Sequence, residues 1–142
     1  MTLLANERYD LWLPNSRGND ISKSHIFLDY EEDEFWKFSL DKLALIDLPA
    51  VMDLIYKETG HYDLHFVGRG SGGSIAIAMA SLLPSNYGQR LRSLISWAPF
   101  VYVGNTTTIL RFTTYFRPLL MRPDKYNYHK PLTDLINTIC VL

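Results

Sequence analysis

The hydrophobic pattern is clearest between Asp63 and Leu83, where two apolar runs flank a group of glycines. The first run, Leu64–Val67, has the length of a buried strand, and the second, Ser74–Leu83, is long enough and rich enough in small residues for a buried helix. Between them, Gly68–Gly73 holds four glycines in six positions, which is typical of a tight turn. The pattern predicts a strand, a turn and a helix at the centre of an α/β domain.

Two further segments have the spacing of strands. Tyr9–Leu13 is a short apolar run closed by turn-forming residues. Leu91–Trp97 alternates apolar and polar positions after a break at Pro84–Gly88. The chain is therefore expected to contribute three short strands to one sheet.

A helix is predicted between Ser39 and Gly60. Ser39 is a suitable N-cap, and Gly60 is a suitable stop. Pro49 lies inside this helix and should distort it near Leu45–Ile46, because its ring clashes with the carbonyl four residues earlier. A stripe at helical spacing is expected to face the core: Leu43, Ile46, Ala50, Leu54 and Tyr56–Lys57.

Composition indicates one modest globular domain with a hydrophobic core. Of the 142 residues, 47% are apolar, and the formal net charge is −1. The acids concentrate between Asp29 and Asp63, whereas the stretch 64–123 carries arginines and no acid. This layout favours a solvated helix face over a nucleic-acid surface, which would need denser basic clustering. No nucleic-acid partner is expected.

The remaining composition signals concern compartment and membrane. Cys140 is the single cysteine, so no intrachain disulfide is possible. The apolar stretch at residues 2–5 is too short for a signal peptide, and no apolar run approaches a membrane span. Asn105 begins a glycosylation sequon, which matters only for a secreted chain. The compartment stays open.

The glycine turn fits two kinds of chemistry. As a dinucleotide fingerprint, G-x-G-x-x-G, it has Gly68, Gly70 and Gly73 in place, but no acidic residue follows at the distance needed to hold a ribose hydroxyl. As a nucleophile elbow, G-x-S-x-G, it has both flanking glycines and a glycine in place of the serine. The five elbow positions are Gly68, Arg69, Gly70, Ser71 and Gly72.

Three motifs in order decide between these readings. YDLWLPNSRGNDISKSH, DEFWKFSLDKLALIDLPAVMDLIYKETG and LHFVGRGSGGS are similar to corresponding stretches of gastric, lysosomal and insect lipases, as is ISWAPFVYVGN. The chain thus resembles the acid lipase family of α/β-hydrolases over nearly its whole length. The resemblance implies a partial α/β-hydrolase fold, with a short parallel sheet flanked by helices.

The resemblance also implies roles for single positions. Gly70 falls where the family has its nucleophilic serine, Arg69 falls on the preceding histidine, and Ser71 supplies one oxyanion-hole N–H. The family's acid and histidine are expected beyond Leu142. Ser71 is the alternative nucleophile, although its side chain should point away from the crest of the elbow. Catalysis by this chain is therefore not expected.

Two domains are expected from the same comparison. Residues 1–104 correspond to strands 4, 5 and 6 of the hydrolase sheet, and residues 105–142 correspond to the start of a helical cap. Within the cap, Thr107–Phe116 and Leu132–Val141 have amphipathic, helix-like spacing. Because the strand between Tyr9–Leu13 and Leu64–Val67 is missing, one edge of Leu64–Val67 should be open and the isolated chain marginally stable.

Three functions remain open. The first is a catalytically inactive, lipase-like protein of lipid metabolism. The second is an active ester hydrolase, through Ser71 or as part of a longer chain. The third is a non-catalytic module that binds fatty acyl chains or pairs with a full-length lipase. None of the three requires a cofactor or a metal ion, and the family's members are secreted or lysosomal.

Overall fold

The computed structural model describes residues 2–101 and 139–141 of the chain. It contains several helical segments and one small sheet. The helices are α1 (Thr2–Asn6), α2 (Leu40–Lys42), a π-helix (Leu43–Asp47), α3 (Leu48–Thr59), α4 (Ser71–Leu82) and a 3₁₀ turn (Gly88–Arg90). The strands are β1 (Leu64–Arg69), β2 (Leu91–Trp97) and β3 (Ile139–Val141). This is a partial α/β fold, as the sequence predicts.

The sheet has the order β2-β1-β3, with β1 in the middle. β1 and β2 run parallel and are joined through α4, which forms a β-α-β unit. β3 runs antiparallel to β1 and pairs with Phe66, Val67 and Gly68. The expectation of an open β1 edge is therefore wrong: β3 occupies its middle and takes up backbone groups that would otherwise be unpaired.

Two other sequence predictions fail at the sheet. Tyr9–Leu13 forms no strand, and only Trp12 makes an isolated β-bridge. β1 has β2 on one side and, at Phe66–Gly68, β3 on the other, so this middle part of β1 is not available to the segment. Within Leu132–Val141, the described residues 139–141 form β3 instead of continuing a helical segment. Pairing with β1 overrides the local helical spacing there.

The predicted distortion by Pro49 takes the form of the π-helix Leu43–Asp47. Because proline has no N–H, the carbonyl of Leu45 loses its usual partner. The N–H of Leu48 bonds instead to the carbonyl of Leu43, five residues earlier. Gly60 ends α3 at φ +74°, as expected.

The extra residue of the π-helix changes which side chains face the core. Of the predicted stripe, Leu43 is buried, but Ile46, Leu54 and Tyr56 are about half exposed and Ala50 is exposed. The predicted stripe is therefore wrong from Ile46 onward, because it assumed regular α-helical spacing. The buried set is Leu43, Ala44, Leu48, Met52 and Ile55.

The core lies on one face of the sheet. Phe66 and Leu64 of β1 meet Ile75, Ala76 and Met79 of α4, and the buried set of α3 completes the cluster. Side chains alternate along a strand, so Val67, Ile95 and Trp97 point to the opposite face. Trp97 is 62% exposed there. The described residues thus cover one face of the sheet.

A buried arginine fastens the start of β2 to α3. Arg90 donates to the carboxylate of Asp53 at 2.6 Å, to the carbonyl of Met52 at 2.8 Å and to that of Tyr62 at 3.1 Å. Its guanidinium lies over the rings of Tyr62 and Tyr87, and over that of a third tyrosine on α3. The hydroxyl of Tyr87 donates to Asp53, and this hydrogen bond raises the pKa of Tyr87.

The segment before α2 is held by a charged pair and an aromatic group. Arg17 makes a two-pronged contact with the carboxylate of Asp47, which raises the pKa of the guanidinium. Phe35 is buried, and its ring meets that of Trp36 edge-on at 5.0 Å between centroids.

Candidate functional site

The candidate site is the sharp connection between β1 and α4. β1 ends at Arg69, α4 begins at Ser71, and Gly70 alone makes the corner, with φ +56° and ψ −121°. This backbone conformation is strained for residues with a side chain and open to glycine. The predicted turn over Gly68–Gly73 is too long, because the helix begins three residues before Ser74.

Gly68 and Gly73 allow β1 and α4 to approach each other. A Cβ atom added to Gly68 would lie 2.5 Å from the amide nitrogen of Gly73 and 2.8 Å from the carbonyl carbon of Gly72. A Cβ added to Gly73 would collide with the side chain of Ser96 on β2. Close packing therefore explains the glycines at positions 68 and 73 without a dinucleotide.

Hydrogen bonds tie the elbow to the end of β2. The N–H of Gly70 donates to the carbonyl of Trp97 at 2.8 Å. The hydroxyl of Ser74 accepts from the N–H of Phe100 at 2.7 Å and donates to the carbonyl of Gly70 at 3.2 Å. Ser74 is thus a structural residue of the site that sequence reasoning missed. Its only signal was a small polar residue in the first turn of an otherwise apolar helix.

The crest of the elbow has space but no reactive group. A Cβ atom at Gly70 would lie 3.7 Å from Cε2 of Phe100, which is an ordinary van der Waals contact. Ser71, the next residue, is only 6% exposed, whereas Arg69 is exposed. The one hydroxyl of the G-x-G-x-G segment is therefore largely covered.

The histidines of the described region serve local structure. His25 Nδ1 accepts from the N–H groups of Phe27 and Leu28. His65 is half-buried on β1, and its Nδ1 lies 2.8 Å from the hydroxyl of Ser93 on β2. These contacts hold a loop and a strand pair in place.

The described part of the chain holds neither a metal-binding group of side chains nor a membrane-spanning helix. Among residues 2–101 and 139–141, no three His, Cys, Asp or Glu side chains are grouped so that they could hold a metal ion. In the same part of the chain, no helix is both long enough and apolar enough to cross a membrane. Asn105 and the segment Thr107–Phe116 lie outside the described residues. The division at residue 104 stays a prediction.

Sequence comparisons connect this elbow to lipases. The chain is 38% identical to Lipase 1 of Drosophila melanogaster over 148 aligned residues that cover 98% of the chain. It is 38% identical to the gastric triacylglycerol lipase of Homo sapiens over 76% of the chain. It is 37% identical to the lysosomal acid lipase/cholesteryl ester hydrolase of Macaca fascicularis over 75% of the chain. No protein-family model matches it.

The aligned part is a minor share of each relative. The chain spans 34% of the fly lipase, 27% of the human gastric lipase and 26% of the macaque enzyme. Independent relatives from insects and mammals nevertheless match at similar identity, and the β-α-β unit with its elbow belongs to an α/β fold. The chain therefore belongs to the acid lipase family of α/β-hydrolases.

Proposed function

We propose that this chain is a lipase-like protein of lipid metabolism that does not itself hydrolyse esters. The observation that carries the proposal is Gly70 at the crest of the elbow, where a nucleophile elbow presents its serine. Glycine has no side chain that can attack a carbonyl carbon. The family scaffold is present at this position and the reacting atom is not.

The magnitude of this loss favours inactivity. In a serine hydrolase, removal of the nucleophile alone lowers turnover by about 10⁶-fold, and the remaining oxyanion hole and binding contacts supply only about 10³- to 10⁴-fold over water. Here the oxyanion-hole donor implied by the family is the N–H of Ser71. One backbone donor without an attacking oxygen is a small fraction of the machinery.

Ser71 is a poor substitute for the missing nucleophile. It is the first residue of α4, and only 6% of its surface is accessible to solvent. An attacking hydroxyl needs access to a substrate carbonyl and a base within hydrogen-bond reach. Neighbouring side chains at the start of a helix differ in direction by about 100°. The hydroxyl of Ser71 therefore does not point where the side chain of a residue at position 70 would point.

The alternative of activity within a longer protein meets the same obstacle. Additional chain would supply an acid and a histidine, but the position at the crest would still be Gly70. Pairing with a full-length lipase, the other partner expected from the sequence, is not part of this proposal. β3 already covers the middle of the β1 edge that such a partner would use.

Lipid binding without turnover is the second candidate, and one surface favours it. Next to Gly70, whose N–H bonds to Trp97 and whose nearest side chain is Phe100, the residues Trp97 and Phe100 are 62% and 54% exposed. Exposed aromatic side chains at the carboxyl ends of parallel strands suit an apolar ligand. Fatty acid that remains bound through purification, detected by native mass spectrometry, would support this function.

A fluorophosphonate experiment tests inactivity directly. The purified chain and its Gly70→Ser variant are incubated with the reagent, and their intact masses are measured beside human gastric lipase as a positive control. We expect no adduct on the native chain, because it lacks an activated hydroxyl. We expect at most a slow reaction of Gly70→Ser, since a serine there still needs a base.

A Ser71→Ala variant makes the outcome specific. An adduct on the native chain that disappears in Ser71→Ala would overturn the proposal and would show that the reactive position has moved by one residue. Circular dichroism of each variant checks that the fold is kept, because serine at the strained φ of position 70 costs about 1–3 kcal/mol.

A further inference from the structure

His25 accepts two backbone hydrogen bonds with a single ring nitrogen. The N–H of Phe27 donates to His25 Nδ1 at 3.2 Å, and the N–H of Leu28 donates to the same atom at 3.1 Å. The imidazole thus closes a short turn with the backbone two and three residues further on. Because both partners are donors, Nδ1 is the unprotonated nitrogen of a neutral ring, and the ring proton is on Nε2.

Asn19 closes a turn of the same kind with a group that does not titrate. Its Oδ1 accepts from the N–H of Ile21 at 3.0 Å and from that of Ser22 at 2.7 Å, again two and three residues further on. An amide oxygen stays an acceptor in acid, whereas an imidazole loses its only acceptor when it gains a proton. Of these two turns, only the one closed by His25 therefore responds to acid.

The surroundings of His25 offer no anion to a protonated ring. The imidazole lies edge-on to the ring of Phe35, which is uncharged and buried, with 6.2 Å between the centroids. The charged residues nearest to it in the sequence bond elsewhere: Lys23 pairs with Asp20, and Asp29 accepts from a backbone N–H two residues further on. Within residues 2–101 and 139–141, no carboxylate lies at ion-pair distance from His25.

We propose that protonation of His25 opens the turn at residues 25–28, so that this loop is closed near neutral pH and open in acid. A protonated Nδ1 is a donor that faces two N–H donors, so both hydrogen bonds are lost. Because the closed turn accommodates only the neutral ring, acid shifts the population toward the open form. Opening frees Ile26 and Phe27, whose side chains are each 87% exposed, and ends the edge-on contact with Phe35.

Amide hydrogen exchange of the whole chain tests this response. The exchange rates of Phe27 and Leu28 are measured by NMR at about pH 8 and about pH 5, and each is compared with the rate of an unstructured chain at the same pH. We expect their protection to fall about fivefold or more in acid, the factor given by the net loss of one ordinary hydrogen bond. The amides of Ile21 and Ser22, which bond to Asn19, should keep their protection.

His25→Asn is the variant that identifies the responding group. The Oδ1 of asparagine is bonded to Cγ, as is the Nδ1 of histidine, so the acceptor keeps its place but no longer titrates. The amides of residues 27 and 28 should then stay protected at both pH values. His61→Asn is the matched control, because the ring of His61 makes no hydrogen bond within the described residues. It should respond to acid as the native chain does.

Two results would overturn the proposal. The first is equal protection of residues 27 and 28 at both pH values in the native chain. The second is an acid response that persists in His25→Asn, because it would then come from another group. His25→Ala, which removes the acceptor, should leave the two amides unprotected at both pH values. None of these readouts involves ester hydrolysis, so they are independent of the inactivity proposed above.

Discussion

Gly68→Ala is expected to lower the free energy of unfolding by about 3 kcal/mol or more, a loss large enough to unfold a domain of ordinary stability. The added methyl would lie 2.5 Å from the backbone nitrogen of Gly73. The start of α4 cannot easily move away, because Gly70 is bonded to Trp97 and Ser74 is bonded to Phe100. Urea denaturation followed by circular dichroism measures the change.

Gly60→Ala is the matched control for this prediction. Gly60 has a positive φ of +74°, but nothing lies within 4 Å of the position that a Cβ would take. Its cost should therefore be the backbone penalty alone, about 1 kcal/mol. If the two variants lose similar stability, the close approach between β1 and α4 is not what requires glycine at position 68.

Arg90→Ala is the second large effect, with an expected loss of about 2–4 kcal/mol in the free energy of unfolding. The substitution leaves the carbonyls of Met52 and Tyr62 without their donors and removes a cation held among tyrosine rings. Asp53 contributes less to the loss, because its side chain is 55% exposed and can be hydrated again. The measurement is the same urea titration.

Arg92→Ala is the control that distinguishes the effect of a buried arginine from the effect of losing a charged pair. Arg92 is two residues away and also pairs with an aspartate, Asp63, but its side chain is 66% exposed. Exposed pairs contribute about 0–1 kcal/mol, so this variant should unfold close to the native midpoint. A loss for Arg90→Ala no larger than that for Arg92→Ala would contradict the assignment of Arg90 as the fastening point between α3 and β2.

The contacts around Gly68 also explain how the corner between β1 and α4 keeps its shape. The corner at Gly70 depends on the close approach of glycine backbones and on the bonds from Trp97 and Phe100. None of these contacts uses the side chain of a nucleophile. The shape of this corner therefore rests on backbone contacts and on the hydroxyl of Ser74, and not on a side chain at its crest.

The sequence by itself determined the central β-α-β unit and the family. β1 and β2 coincide closely with the segments predicted for them. Short apolar runs that are bounded by glycine or proline can be recognised as strands from the local sequence. Motif similarity placed Gly70 at the crest, and the structure has the corner at that residue. Gly60 ends α3 because glycine readily adopts the left-handed conformation found there, a property of that single residue.

Only the tertiary structure decided the features that depend on distant partners. The buried face of α3 follows from a π-helix that shifts the register after Leu43, and regular spacing does not reveal such an insertion. The neighbour of β1 is β3, from far along the chain, and not Tyr9–Leu13. Ser74 and Arg90 have their roles through residues more than twenty positions away. Local sequence indicates the propensity of a segment to form a helix or a strand. Which segment then pairs with a strand edge, which helix face is buried and which group bonds to a given carbonyl depends on residues far away in the sequence.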